Sequence, residues 1–512
     1  MRTCASLLLV LVVAWLSVRD ATLTAQAPGP WKPQIPRTWD ESALADWATP
    51  VAGLNVPPTH VSARGYAALP EENLRSYPVY MPGREPEGYW ETLKKTGPKP
   101  LVDAQTLETE ADWLAAGERV FTEWVVLRTF DPKLIAMARS REALEQRGAG
   151  PLPDGTINNL RWLPTKEGVA LGFVNCSACH LLFLPDGTRV PGAPSFAIPN
   201  GFRNALGGAI RSEVGTLPGE PPFVMSGPSF GSWLYQAYGA PWTNDPAGER
   251  LKSMTEADFG TYVGAIIRGG GVARWNGSIL YPAKIPDLIG IKDRKYIDHT
   301  ATHQHRGIGD LMRYAAVVSF AETTQFGPHD MIATETKRFQ TRLPDEALYA
   351  LSLYVYSLQP PRNPNSYSDT AAFGKAIFER EGCVSCHTPP LYTSNKVTLA
   401  VGFTPPADKP AWLDLLPISV GTDPGLALRT RKGTGYYKVP SLKGLWYRGR
   451  YLHDGAVASL EEMFDPSRLE ASHVPGGWIP PGKKTQAIPG HPFGLQLMPA
   501  ERDQLVAFLK TL

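Results

Sequence analysis

Two stretches of the chain, Cys176-Ser177-Ala178-Cys179-His180 and Cys383-Val384-Ser385-Cys386-His387, share the spacing Cys-x-x-Cys-His. That spacing suits covalent attachment of c-type haem. Two thiols add across the haem vinyl groups to give thioethers, and the adjoining histidine ligates the iron. The short loop holds all three groups on one face of the porphyrin. Four of the five cysteines sit in these motifs. The fifth, Cys4, lies in a segment expected to be removed, so no thiol is left for a disulfide or a nucleophile. A zinc ribbon would place its two Cys-x-x-Cys knuckles roughly 15–20 residues apart, whereas Cys179 and Cys383 are far apart in the chain. A thioredoxin-like site needs a βαβ context and does not explain a histidine after both motifs. The sequence therefore predicts two covalently bound c-type haems (iron). Cys176, Cys179, Cys383 and Cys386 form the thioethers, and His180 and His387 are the proximal ligands.

The elements that must position these groups repeat along the chain. Ala115-Ala116-Gly117-Glu118-Arg119-Val120-Phe121 precedes the first motif, and Ala372-Phe373-Gly374-Lys375-Ala376-Ile377-Phe378 precedes the second. Each reads as a short helix in which a glycine lets another helix approach closely. Pro344-Asp345-Glu346 opens a run with Leu348, Leu351, Tyr354, Val355 and Leu358 at helical spacing. Pro499-Ala500-Glu501 opens another, with Leu505, Phe508, Leu509 and Leu512. Proline followed by acidic residues suits a helix start, and the apolar stripe suits packing on a core. Ile285-Pro286-Asp287-Leu288 echoes Val439-Pro440-Ser441-Leu442, and a His-x-Gly follows each, at His305 and His453. Three correspondences in one order predict an internal duplication.

The expected organisation is a signal peptide over 1–27, a loop-rich N-terminal extension over 28–106, a first haem domain with insertions over 107–362 and a second haem domain over 363–512. The linker is the Pro- and Asn-rich stretch Gln359 to Thr370. The fold class expected is mainly α: two cytochrome c-like haem domains with long ordered loops. Glycine and proline number 48 and 49, about 19% of the chain, below the roughly 25–30% that marks low complexity. At 512 residues the chain exceeds what one hydrophobic core supports, which also favours two domains.

Arg2, the apolar run Ala5 to Val18 and the small residues Ala25-Gln26-Ala27 form a secretory signal pattern. The run is short for a bilayer span of about 20 residues, and no later segment is apolar enough. A periplasmic or secreted protein with no membrane span after signal removal is expected. The formal net charge is +2 with no basic block, which argues against nucleic acid as a partner.

With both motifs, the run Cys386-His387-Thr388-Pro389-Pro390-Leu391-Tyr392-Thr393 and the segments Val439 to Leu442 and Tyr451 to Gly455, the chain resembles the bacterial di-haem cytochrome c peroxidase superfamily. Cys-Ser-Ala-Cys-His and the long first half are similar to its rubber oxygenase branch, although the chain is short for that branch. The resemblance implies a division of labour. The first haem would meet peroxide or dioxygen, because an iron binds a small oxidant only where its sixth position is open or easily vacated. The second would hold two protein ligands and relay electrons from a donor such as a small cytochrome or cupredoxin. The alternatives are a haem dioxygenase cleaving an apolar alkene and a pure electron carrier.

For the sixth ligand of the second haem the candidates are His453, Met463, His473, His491 and Met498. His491 is favoured, because Gly490-His491-Pro492-Phe493-Gly494 is a loop just before the closing helix, and the rubber oxygenase resemblance implies a bis-histidine second haem. His453 reads as packing at the haem edge and bonding a propionate. Met463 is placed more as in the peroxidases but falls on a core stripe with Leu460, and His473 reads as a surface residue. Around the first haem His299, His303, His305 and His329 compete, with Arg306 as a propionate partner and His329 as a removable ligand. The distal acid–base group of the first haem is left open as Glu, Gln or His. Trp162, Trp233, Trp242, Trp275 and Trp446 are candidates for a place between the haems, against ordinary core packing.

Overall fold

The structure is a computed structural model that describes residues 31–173, 175–195, 230–272, 278–319, 324–330 and 341–512. The signal pattern over 1–27 and Trp275 lie outside the described residues. Among the described residues no helix is long and apolar enough to cross a membrane.

Two helix pairs form the frame. The first opening helix, Glu110–Glu123, starts at a reciprocal cap: Thr109 Oγ1 accepts the Asp112 N–H, and the Asp112 carboxylate accepts the Thr109 N–H. Both exchanged bonds satisfy donors that a helix start otherwise leaves open. This helix packs on the closing helix Asp345–Ser357. The second opening helix, Asp369–Arg380, packs on the closing helix Pro499–Lys510 in the same way.

The glycines decide both crossings. A Cβ on Gly117 would stand 2.0 Å from the Ala350 carbonyl oxygen, and one on Gly374 would stand 1.9 Å from that of Gln504. Backbone cannot retreat as a flexible side chain can. Gly374→Val is therefore expected to lower the unfolding free energy by about 3 kcal/mol or more. Gly307→Ala, with open space around the new methyl, should change it little. Urea unfolding of the haem-loaded protein compares the two.

The insertion before the first motif does not run as loops. Strands β1 (Tyr77–Tyr80), β2 (Leu127–Thr129), β3 (Thr156–Pro164) and β4 (Val169–Phe173) form one antiparallel sheet in the order β1-β3-β4-β2. This corrects the expectation of helices and loops alone. One strand comes from the N-terminal extension and three from the insertion, so neither segment closes the sheet by itself. Val79, Met81, Leu160, Trp162, Leu171 and Phe173 bury one face, and Val125, Leu163 and Ala170 pack elsewhere on it. Strand β4 leads toward the first motif. Beyond the motif, β5 (Leu181–Phe183) and β6 (Arg189–Pro191) form a hairpin.

Candidate functional site

The two motifs fold differently. Cys176–His180 is a single helical turn. Asn175, 4% exposed, starts it: its Oδ1 accepts the Ala178 N–H and the Ser177 hydroxyl, each at 2.8 Å. Its Nδ2 donates to the Thr122 carbonyl at 2.8 Å, which ties the motif to the first opening helix. The hairpin closes the other side, with Gly192 N–H bonded to the His180 carbonyl and Ser195 N–H to that of Cys179. Cys176 lies against the core that holds Trp113, Phe121 and Leu351.

The second motif is a short 3₁₀ turn, Cys383–Ser385, and it opens into a cavity of about 310 Å³. Cys383, Cys386 and His387 line it, together with apolar Phe378, Leu442, Leu445, Leu460, Phe464, Leu505 and Leu509. His387 Nδ1 lies 3.2 Å from both the Tyr392 and the Pro440 carbonyl oxygens. Two acceptors there call for the proton on Nδ1, so the Nε2 lone pair is left for a metal. Burial holds the imidazole pKa down to about 4, so the ring is neutral at physiological pH.

His491 lies across the same cavity. The two ring centres are 6.5 Å apart. With imidazole nitrogen about 2.0 Å from a metal on each side, the ring centres of two opposed ligands stand roughly 6 Å apart. His491 is half-buried, its inaccessible Nδ1 has no partner, and desolvation holds its pKa down to about 3, with the neighbouring His387 and Arg468 adding to the shift. Its φ is +47°. The preceding Gly490, at φ +87°, sits so close to Thr422 that a Cβ would meet its backbone nitrogen at 2.2 Å. Only glycine fits that turn.

The charges of the cavity are unbalanced. Lys284, Arg294, Lys438 and Arg448 line it against one carboxylate, Asp287. Arg294 and Arg448 stand 4.0 and 3.9 Å from Asp287, and Arg448 Nε has no partner. The Lys284 ammonium donates to the Arg450 carbonyl at 3.0 Å, and that of Lys438 to the Tyr296 carbonyl at 3.4 Å. Burial pushes both lysines down to about 7; nearby Arg448 adds to the effect on Lys284, and Arg294 to that on Lys438. Buried cations require anionic partners. The two propionates of a haem are such partners, and the thiols, the imidazole pair and the apolar walls fit the rest of the group. Lys284 and Arg294 precede the linker, Lys438 and Arg448 follow it. No sequence pattern brings those four together.

The other histidines distribute as follows. His453 lines the second cavity, stacked on Tyr437 at 4.6 Å, with Nε2 3.3 Å from its hydroxyl. Met463 lines the same cavity, while Met498 is 68% exposed. His473 is half-buried and bonds Glu462 at 3.0 Å rather than standing in solvent. His299 belongs to the wall of the second cavity, not to the surroundings of the first motif; its Nε2 meets the Lys284 carbonyl at 2.9 Å. His303 pairs with His60 from the extension, Nε2 to Nε2 at 3.0 Å, with Trp47 against both rings. His305 is tied at both nitrogens, to the Arg294 carbonyl and the Tyr356 hydroxyl. Arg306 is held by Asp310 and by the carbonyls of Ala43 and Ala45. His329 packs on Trp242. Residues 196–229, which follow the first motif, lie outside the described residues.

Four of the five candidate tryptophans lie among the described residues. Trp162 packs in the sheet core with Trp90, Trp233 with Phe230, and Trp242 with Phe326. Trp446 differs. With Tyr447 it packs against Leu182, Val190 and Ala193 of the first-motif hairpin and against Ile289. Its neighbours in sequence, Leu445 and Arg448, line the second cavity.

No family model matches the chain. It is similar to the cytochrome-c peroxidase IdrP1 of Denitromonas iodatirespirans, 29% identical over 163 residues that cover 28% of this chain and 40% of that one. The chain thus spans about two fifths of the length of the curated relative it matches. Among solved structures, the diheme peroxidase BthA of Burkholderia thailandensis matches at 16% identity and a TM-score of 0.26, over 86% of this chain and 94% of that one. A MauG-like protein associated with microbial copper homeostasis matches at 18% and 0.26, over 45% and 73%. Such scores do not establish a shared fold. The likeness in sequence is thus to part of a cytochrome-c peroxidase.

Proposed function

We propose that the chain is an exported di-haem c-type cytochrome oxidoreductase of the peroxidase kind. Its extension (28–106) and two haem domains (107–362 and 363–512) divide the work between a reactive first site and a relaying second site. Cys176, Cys179 and His180 would hold the first haem; Cys383, Cys386 and His387 would hold the second, with His491 as its further protein ligand. When bound, haem supplies an iron that exchanges single electrons and, where a coordination position is free, reduces a small oxidant such as peroxide.

The observation that carries this reading is the opposed pair His387 and His491, 6.5 Å between ring centres. Two neutral imidazoles facing each other across one cavity would both be available to hold the iron, which would suit electron relay and keep small oxidants away. Trp446 and Tyr447, packed between that cavity and the hairpin of the first motif, offer an aromatic bridge between the sites. Lys284, Arg294, Lys438 and Arg448 would orient the second haem through its propionates.

The test uses the mature protein exported with its haems. Two haems per chain are expected by pyridine haemochrome assay, one low-spin and one open to ligands by electron paramagnetic resonance, with peroxide consumed at the expense of a reduced small cytochrome or cupredoxin. Two low-spin, unreactive irons would leave a pure electron carrier. Oxygen uptake with an isoprenoid alkene, and none with peroxide, would point instead to a dioxygenase.

A further inference from the structure

The turn that carries His491 is held from behind by one buried cation. Arg468, in the 3₁₀ segment Pro466–Leu469, has no exposed surface. Its guanidinium donates to four backbone carbonyls. Nε reaches Met463 at 3.0 Å, Nη1 reaches Ile488 at 2.5 Å, and Nη2 reaches both Gly490 at 2.8 Å and His491 at 2.9 Å. No ion pair to Arg468 occurs among the described residues. The two carboxylates whose charge reaches it are otherwise engaged: Glu462 accepts from the backbone N–H groups of Ala458 and Gly476 and bonds the His473 ring, and Asp465 accepts from the Ser467 N–H.

A fully buried cation without a carboxylate is an expensive way to staple a loop. Two of its four acceptors are the residues that set the imidazole. The imidazole itself has no second anchor, since Nδ1 of His491 is unpartnered, whereas His387 is fixed through its ring by two carbonyls. The front of the turn is fixed by the His491 N–H on the Val420 carbonyl at 2.6 Å and by the contact of Gly490 with Thr422. The back is fixed by Arg468. A planar fork of donors spans several carbonyls in one plane, which a lysine ammonium cannot do.

We propose that Arg468 is a positioning residue for the second haem's sixth ligand: by clamping the carbonyls of Gly490 and His491 it sets how firmly that position is closed to outside ligands. This rests on the reading of His491 as the ligand. A side chain acting on the loop backbone controls a bond to iron that it does not touch.

The test is cyanide binding to the ferric second haem of the exported di-haem protein, followed with the spin state at each iron. Arg468→Lys keeps the charge and loses most of the fork; Arg468→Gln loses the charge as well. Both variants should keep two haems per chain and bind cyanide at the second haem about tenfold more tightly than the parent, as expected when one or two loop bonds are lost. If Arg468→Gln does not accumulate, Arg468→Lys carries the measurement. Parent-like cyanide affinity and spin state in the variants, with only a lower melting temperature, would overturn the proposal and leave Arg468 a structural staple. His491→Ala run alongside separates the two readings. If it opens the second haem while the Arg468 variants do not, only the clamp falls. If it leaves the second haem low-spin, the ligand assignment falls and the clamp with it.

Discussion

Replacing His491 by alanine is expected to convert the second haem from low-spin to high-spin and leave the first unchanged. Half of the iron in each chain should change its spectrum, and that half should gain affinity for cyanide and carbon monoxide. The expectation follows from the opposed rings of His387 and His491 and from two neutral imidazoles, since burial keeps both from protonating. Relay of electrons to peroxide should fall in the same variant, because an imidazole stabilises the relaying iron in both oxidation states. Met463 is the competitor. It lines the same cavity, 8% exposed, at the end of the short helix Leu460–Met463. A spectrum unchanged in His491→Ala and altered in Met463→Leu would transfer the role to the thioether, which carries a higher reduction potential.

The second large effect concerns pH. Lys284 and Lys438 are half-buried, and without anionic partners desolvation pushes their pKa values from 10.5 down to about 7. The unfolded chain then binds more protons than the folded one between about pH 7 and pH 10, so stability must rise with pH across that window. The stabilisation is complete above the unfolded value and is lost as pH falls through about 7. Urea midpoints of haem-free protein should therefore increase from neutral to alkaline pH. Haem-loaded protein, with two carboxylates set against these ammonium groups, should show a much shallower rise. Lys284→Met combined with Lys438→Met should flatten the haem-free curve. Equal slopes in the haem-free and loaded forms would mean that the propionates do not meet these lysines.

The parts of this architecture legible from sequence are those written locally. Gly117 and Gly374 announce close helix crossings because a missing side chain has one main structural use there, and the apolar stripes after Pro344 and Pro499 follow the helical period. His491 stands out through its neighbours Gly490 and Pro492. The sheet is less legible: Thr156 to Pro164 alternates only in part, and its partner strand Tyr77–Tyr80 lies about 80 residues upstream in a segment that repeats nothing. His299, by its place after the first motif, competes with His303, His305 and His329 around the first haem, yet the chain from Lys284 to His299 crosses to the second cavity. Arg468 and the lysine pair left no sequence signal. A buried cation looks like any surface cation until the fold removes its water.

The wall of the second cavity draws on residues from both sides of the linker, which decides how the two similar halves can be handled. Lys284, Asp287, Arg294, Tyr296 and His299 precede the linker, yet they face the thiols and the histidine that follow it. The second repeat cannot be lifted out and grafted as a self-sufficient cytochrome. A fragment cut at the linker would keep Cys383, Cys386, His387 and His491, and would lose the wall that carries half of the cations. Two stretches that echo each other in sequence thus build one site that neither completes alone.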